Sequence, residues 1–296
     1  MSVKRTRGEG SHYRGLNGSQ LDKEHTMAIH PTAIISRHAE LGSGVEVGAF
    51  AMIEDGVRVG DNCIIHPRAQ LCRGAVLGTS CIIHMNAVIG HVPQDFSFKG
   101  QPVSTVIGER VVVRENVTIH GTADEHGTSI GNDCYLMVGS HVAHNCVLGQ
   151  GVLLANGALL AGHVQVGEGA NISGNVVIHQ FVRVGRYSIL SGGSRFGMDV
   201  PPYLIGDGVN SVTTLNSVGL RRAAGLSDED RVEIKAAYKI LYRSGLDLKD
   251  ALPRLNTTFK SPAVAHWVEF FSTPSHRGFC RFRKGGRRKA GSNDHE

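Results

Sequence analysis

An aliphatic residue falls on every sixth position from Ile29 through Ile35, Leu41, Val47, Ile53, Val59, Ile65, Leu71, Leu77, Ile83 and Ile89. The beat returns at Ile107, Val113 and Ile119, then runs from Ile130 by sixes to Val184 and Leu190. Neither the helical nor the strand period produces a strict six. Two residues before the beat the side chain is small, as at Ala51, Cys63, Ala69, Cys81, Ala87, Cys134, Cys146 and Ala158. Gly directly follows many beat residues, including Gly60, Gly78, Gly108 and Gly149. These glycines are expected at corners, where a positive φ lets the chain turn. One aliphatic knob and one small residue per face make a triangular coil of about eighteen residues, stacked on the next at about 4.8 Å. The pattern predicts a mainly β protein, a parallel β-helix of hexapeptide repeats whose core is a ladder of Val, Ile and Leu.

From Ser227 the period becomes helical. Ser227 with Asp230 resembles a capping box, and Val232, Ala236 and Ile240 begin an apolar stripe that Gly245 ends. Leu248–Leu255 and Ala263–Phe271 are shorter helical candidates. The expected organisation has five parts: a disordered N-terminal extension, 1–26; the β-helix, 27–196; a connector, 197–225; a small C-terminal α-helical domain, 226–275; and a basic disordered tail, 276–296.

Two interruptions of the beat matter more than the repeats. Between Ile89 and Ile107 the beat positions would be Asp95 and Gln101, which cannot fill an apolar core. The segment His91–Thr105 is therefore expected to leave the coil as a loop. Between Ile119 and Ile130 the spacing is eleven instead of twelve, so His120–Ser129 is a second excursion. Loops that interrupt a rigid scaffold commonly carry function.

Composition narrows the chemistry. Hydrophobic residues make up 41% of the 296 residues but aromatics only 6%, which suits an aliphatic solenoid. No apolar run is long enough to cross a membrane, and the N-terminus shows no signal-peptide pattern, so a cytoplasmic protein is expected. The six Cys lack metal-type spacing and read as buried thiols. Sixteen His are present, and His30, His66 and His84 read as corner fillers. His144, His163 and His179 lie about one coil apart along one edge, with His141 and His120 nearby. A column of imidazoles can bind phosphates, position a hydroxyl or act as a base. Nucleic-acid binding is not expected, because no basic-aromatic stripe falls on an ordered element.

A set of motifs in fixed order resembles the UDP-N-acetylglucosamine O-acyltransferases that begin lipid A synthesis. They are Pro93-Gln-Asp95, Glu115-Asn-Val-Thr-Ile-His120, Gly139-Ser-His-Val-Ala-His-Asn-Cys146, Leu160-Ala-Gly-His-Val164, Val177-Ile-His-Gln-Phe181, Asp199-Val-Pro-Pro-Tyr203, Gly219-Leu-Arg-Arg222 and Ala237-Tyr-Lys-Ile-Leu-Tyr-Arg-Ser-Gly245. The resemblance spans about residues 28–271. It implies a left-handed β-helix and a homotrimer with active sites between subunits. The implied reaction moves a 3-hydroxyacyl group from acyl carrier protein to the 3-hydroxyl of UDP-N-acetylglucosamine, with no cofactor and no metal.

The resemblance places the general base at His144 and the oxyanion donor at the Gly162 N–H. It assigns substrate binding to Asp95, His120, His141, His163, His179 and Asn216, and nucleotide-phosphate contact to Arg222. Gly192 falls where the family measures acyl length, and glycine there implies a chain of about fourteen carbons. Four departures are visible: Asn145 where Asp often follows the base, Ser97 where Lys is common, Ala223 where a second Arg is common, and a connector one residue shorter around Asp207–Thr214. They leave open an acceptor with a 3-amino group. Another hexapeptide transferase, for example one using acetyl-CoA or a different acceptor, a zinc-binding relative using His120, His141 and His144, or a non-enzymatic scaffold are the remaining alternatives. The formal balance of +5 includes Arg221, Arg222, Lys235, Lys239 and Arg243, a basic surface suited to an acidic carrier protein.

Overall fold

The computed structural model describes residues 29–124, 127–223 and 225–283. The expected extension, 1–26, lies outside the described residues, as does 284–296 of the expected tail. Short strands of two to four residues stack into three parallel sheets that form the faces of a triangular solenoid. On face B, Ile35 pairs with Ile53, a step of eighteen residues that defines one coil. The same step links Leu41 to Val59 on face C and Val47 to Ile65 on face A.

From Val47 onward the beat residues point inward and are sealed, Leu71, Ile119, Leu136 and Leu160 completely. Each coil buries its knob only against the coils above and below, so the core grows as a ladder. The small position between knobs is equally closed. Where it is Cys, the thiol donates to a corner carbonyl one coil on: Cys63 to Gly78 at 3.1 Å, Cys134 to Gly149 at 3.1 Å. All six cysteines are buried free thiols.

Most of the glycines after the beat serve a different purpose from the one expected, Gly90 with its φ of +84° being the expected case. Gly60, Gly78 and Gly108 do not have positive φ. A Cβ on Gly60 would lie 2.7 Å from the Gly78 carbonyl carbon, and one on Gly78 would lie 2.7 Å from that of Gly108. Close approach of neighbouring backbones requires them. Otherwise positive φ in the coils falls three residues after the beat, as at Asn62, Asn86, Asn116 and Gly139, where Asn and Gly tolerate the left-handed region.

Both interruptions leave the coil as loops. Ile89 pairs with Ile119, a step of thirty, and Ile107 pairs with Ile130, a step of twenty-three. The surplus residues are extruded, and the register recovers beyond them. The two loops are zipped together: Ser104 N donates to Thr122 O at 2.8 Å and Thr122 N to Ser104 O at 3.2 Å.

The segment 197–225 is structured throughout its described residues. Leu204–Gly206 continues face A in parallel, and Ser211–Leu215 returns antiparallel. Helix α1, Ser217–Arg222, follows. Helices α2 (Asp228–Arg243), α3 (Leu248–Thr258) and α4 (Pro262–Ser272) then pack on one another. Ser227 and Asp230 form a reciprocal capping box on α2.

The Asp199-Val-Pro-Pro-Tyr motif fastens this unit to the solenoid. The Asp199 carboxylate, fully buried, accepts from Arg183 Nε at 2.7 Å and from its backbone N–H at 2.8 Å. Tyr203 donates its hydroxyl to the Ala263 carbonyl at 2.9 Å and meets Trp267 edge-on at 5.1 Å. One boundary is corrected: residues 276–283 belong to the fold and not to a tail. Cys280 is buried, its N–H bonds Asp199 O, and Arg281–Phe282 add a parallel strand beside Ser211–Leu215. The apolar stems of Cys280 and Phe282 against the helical unit explain why a basic sequence is ordered here.

Trp267 is the single tryptophan and is fully buried. Trp267→Ala should lower stability by about 3–5 kcal/mol, read from urea unfolding followed by far-UV circular dichroism.

Candidate active site

The corner between faces B and C carries the chemistry. Here one row of residues, Asn145, His163 and Phe181, repeats every coil with φ of +61°, +63° and +65°. Asn tolerates this region well, whereas His and Phe adopt it at a cost of about 1–2 kcal/mol. The strained rings are stacked, His163 on Phe181 at 4.5 Å.

The adjoining row is His144, Gly162 and Gln180. The His144 ring lies directly over Gly162: a Cβ there would come within 2.6 Å of Cε1 and 2.7 Å of Nε2. Glycine at 162 is therefore required for the imidazole to seat. The corner turn also leaves the Gly162 N–H donating to no other described group, because the coil's hydrogen bonds run through Ala161 and His163 instead. An imidazole and an unpaired backbone donor thus lie side by side.

Two open pockets meet at His144. One, about 370 Å³, is lined by Gln94, His120, His141, Leu159, Gly162 and Val177. The other, about 240 Å³, is lined by Asp95, Gln101, Asp124, Asn145 and His163. Both loops therefore wall the site. Leu159 and Val177 expose their side chains along face B, 41% and 44% open, and line the first of these pockets.

The imidazoles are packed closely. His120 and His141 meet edge-on at 4.9 Å, and His144 and His163 at 5.3 Å. Burial, then the neighbouring His141 and His91, pushes His120 down to about 4. Burial followed by the nearby His144 also lowers His141 and His163. All three are thus held neutral at pH 7. His141 Nδ1 pairs with Thr118 Oγ1 at 2.7 Å, while His120 Nδ1 is buried with no partner among the described residues. The Ser97 backbone N–H, 2.8 Å from Asp95, holds that carboxyl below the usual range.

Of the residues singled out from the sequence, Asp95, His120, His141, His144, Gly162 and His163 converge here. Four others do not. His179 is exposed, and Phe181 takes the place beside His163 that the spacing suggested for His179. The reason is register: the coil step of eighteen carries His163 onto residue 181, not 179. Gly192 lies exposed at the corner between faces A and B. Asn216 and Arg222 share a separate cleft with Glu168 and Tyr187. There the Asn216 amide is engaged, capping α1 through Gly219 N and donating to Tyr187 O at 2.9 Å. Asp124 and His91 were missed. Their one sequence signal was position within or beside an interruption of the beat.

Comparison with known proteins points to one family. A family model described as UDP-N-acetylglucosamine O-acyltransferase, domain 2, matches residues 199–280. The model for bacterial transferase hexapeptide repeats matches 56–91 and 127–162. An acyl-[acyl-carrier-protein]–UDP-N-acetylglucosamine O-acyltransferase of Syntrophobacter fumaroxidans is 38% identical over 259 residues, 86% of this chain and 100% of that protein. Its counterpart from Anaeromyxobacter sp. is 41% identical with the same coverage. Among solved structures, the UDP-N-acetylglucosamine acyltransferase LpxA of Bacteroides fragilis is 40% identical with a TM-score of 0.79, covering 84% of this chain and 98% of its own. That of Campylobacter jejuni is 34% identical with a TM-score of 0.80, covering 86% and 100%. With the full length of such relatives covered and the hexapeptide solenoid in place, the chain belongs to the UDP-N-acetylglucosamine O-acyltransferase family.

Proposed function

We propose that the protein transfers a 3-hydroxyacyl group from acyl carrier protein to the 3-hydroxyl of UDP-N-acetylglucosamine, the first step of lipid A biosynthesis. The observation that carries this reading is the His144 ring seated on Gly162, with the free Gly162 N–H beside it. A sugar hydroxyl is a poor nucleophile. A neutral imidazole takes its proton as the oxygen attacks the thioester carbonyl. The developing oxyanion meets the Gly162 N–H, and the C–S bond then breaks as the thiolate leaves and recovers the proton.

The surroundings suit these substrates. The neutral His120, His141 and His163 offer hydrogen bonds without adding charge. The exposed Leu159 and Val177 provide an apolar track for an acyl chain. Arg222 is a natural partner for a diphosphate. Its separation from His144 within one chain supports a homotrimer in which a neighbouring subunit completes each site. Lys235, Lys239 and Arg243 on α2 would steer an acidic carrier protein. Among the described residues no helix is long and apolar enough to cross a membrane, and a cytoplasmic location is part of the proposal.

The direct test mixes the protein with 3-hydroxymyristoyl acyl carrier protein and UDP-N-acetylglucosamine. Product should form, and His144→Ala should lose at least about a hundredfold in kcat. Absence of product, together with turnover of a 3-amino sugar nucleotide, would replace the acceptor. Gly162→Ala should also lose about a hundredfold or more, because its methyl occupies the space of the imidazole, with an unchanged melting temperature. At Gly192 an added Cβ would meet only the Gly174 carbonyl oxygen, at 3.4 Å, an ordinary contact. Gly192→Met should shift the preferred donor from about fourteen carbons toward about ten, as mass spectrometry of competing donors would show.

A further inference from the structure

His144 is followed by a neutral residue, yet a carboxylate stands one step further away. His144 Nδ1 lies 2.7 Å from Asn145 Oδ1, and Asn145 Nδ2 donates to the Asp124 carboxylate. An ionised carboxylate only accepts hydrogen bonds. Asp124 therefore sets which end of the Asn145 amide faces it, and turns the amide oxygen toward His144. That oxygen also only accepts, so Nδ1 carries the proton and Nε2 keeps the lone pair.

The backbone of Asn145 is fixed as well. Its N–H donates to Thr128 Oγ1 at 3.0 Å, and Thr128 is fully buried. Asp124 and Thr128 both come from the second interruption of the repeat. Asp124 in the loop and Thr128 at the start of the strand that follows it thus hold Asn145 by its side chain and its backbone.

We propose that Asp124 is a positioning residue for acyl transfer, acting through the Asn145 amide to hold His144 with Nε2 free and to oppose the charge of the imidazolium formed when it takes a proton. The proposal rests on His144 being the base. Asp124 does for this chain, across an intervening amide, what a carboxylate directly after the base would do by contact.

The test uses the full-length enzyme, with 3-hydroxyacyl acyl carrier protein and UDP-N-acetylglucosamine as substrates. Asp124→Ala should lower kcat about tenfold, the scale of one lost hydrogen bond to a charged group, with both KM values within about twofold. Adding Asn145→Asp to Asp124→Ala should restore kcat to within about threefold of the parent, because a carboxylate then meets Nδ1 directly. A loop that had merely lost its shape would not be rescued by a change at 145. In a His144→Ala background, Asp124→Ala should have no further effect, since residues acting as a unit are not additive. Full activity of Asp124→Ala, absence of rescue, or an undiminished loss in the His144→Ala background would overturn the proposal. If His144→Ala itself stays active, the base assignment fails. If His144→Ala is inactive while Asp124→Ala is not, only the positioning role fails.

Discussion

Backbone contact between successive coils is the constraint on which the rest of this structure depends. The glycines after the beat let one corner of each coil rest on the next, and the inward knobs stack in the same register. Nothing inside this ladder can shift by itself, because close-packed interiors resist small changes. Variation is therefore confined to the outward side chains, the corners and the two loops. The site is built from those three sources and from nothing else.

The corner at His144 uses the same geometry for a different end. At Gly162 the corner N–H faces a cleft beside an imidazole that only a glycine can accommodate. His163 and Phe181 occupy backbone conformations that favour Asn and Gly, and their ring stacking offsets part of that strain. A solenoid can hold such a constellation because coils on both sides clamp it.

Much of the solenoid is legible in the sequence because burial repeats on a fixed step: Ile53, Leu71 and Ile89 announce their sheet by spacing alone. Both loops are legible too, since Asp95 and Gln101 cannot serve as knobs. Most of the glycines were located correctly but for the wrong reason, because spacing does not separate a positive φ, as at Gly90, from a close approach, as at Gly60. His179 was placed in the imidazole column by a spacing of sixteen, and the register puts Phe181 there instead. Residues 276–283 read as tail because basic residues mask the buried Cys280 and Phe282 contacts. Asp124 had no periodic signal at all: its meaning comes from a fold that returns a loop onto Asn145, twenty-one positions along the chain.

The bridge between Ser104 and Thr122 has a consequence for how this architecture can diverge. The loops it joins begin from different coils, and each contributes walls to the cleft at His144. Lengthening one without the other would pull their shared hydrogen bonds out of register and displace both walls together. The two insertions are mechanically one part, so changes in their lengths have to be matched, whereas a coil remote from them can change its outward residues without informing the site.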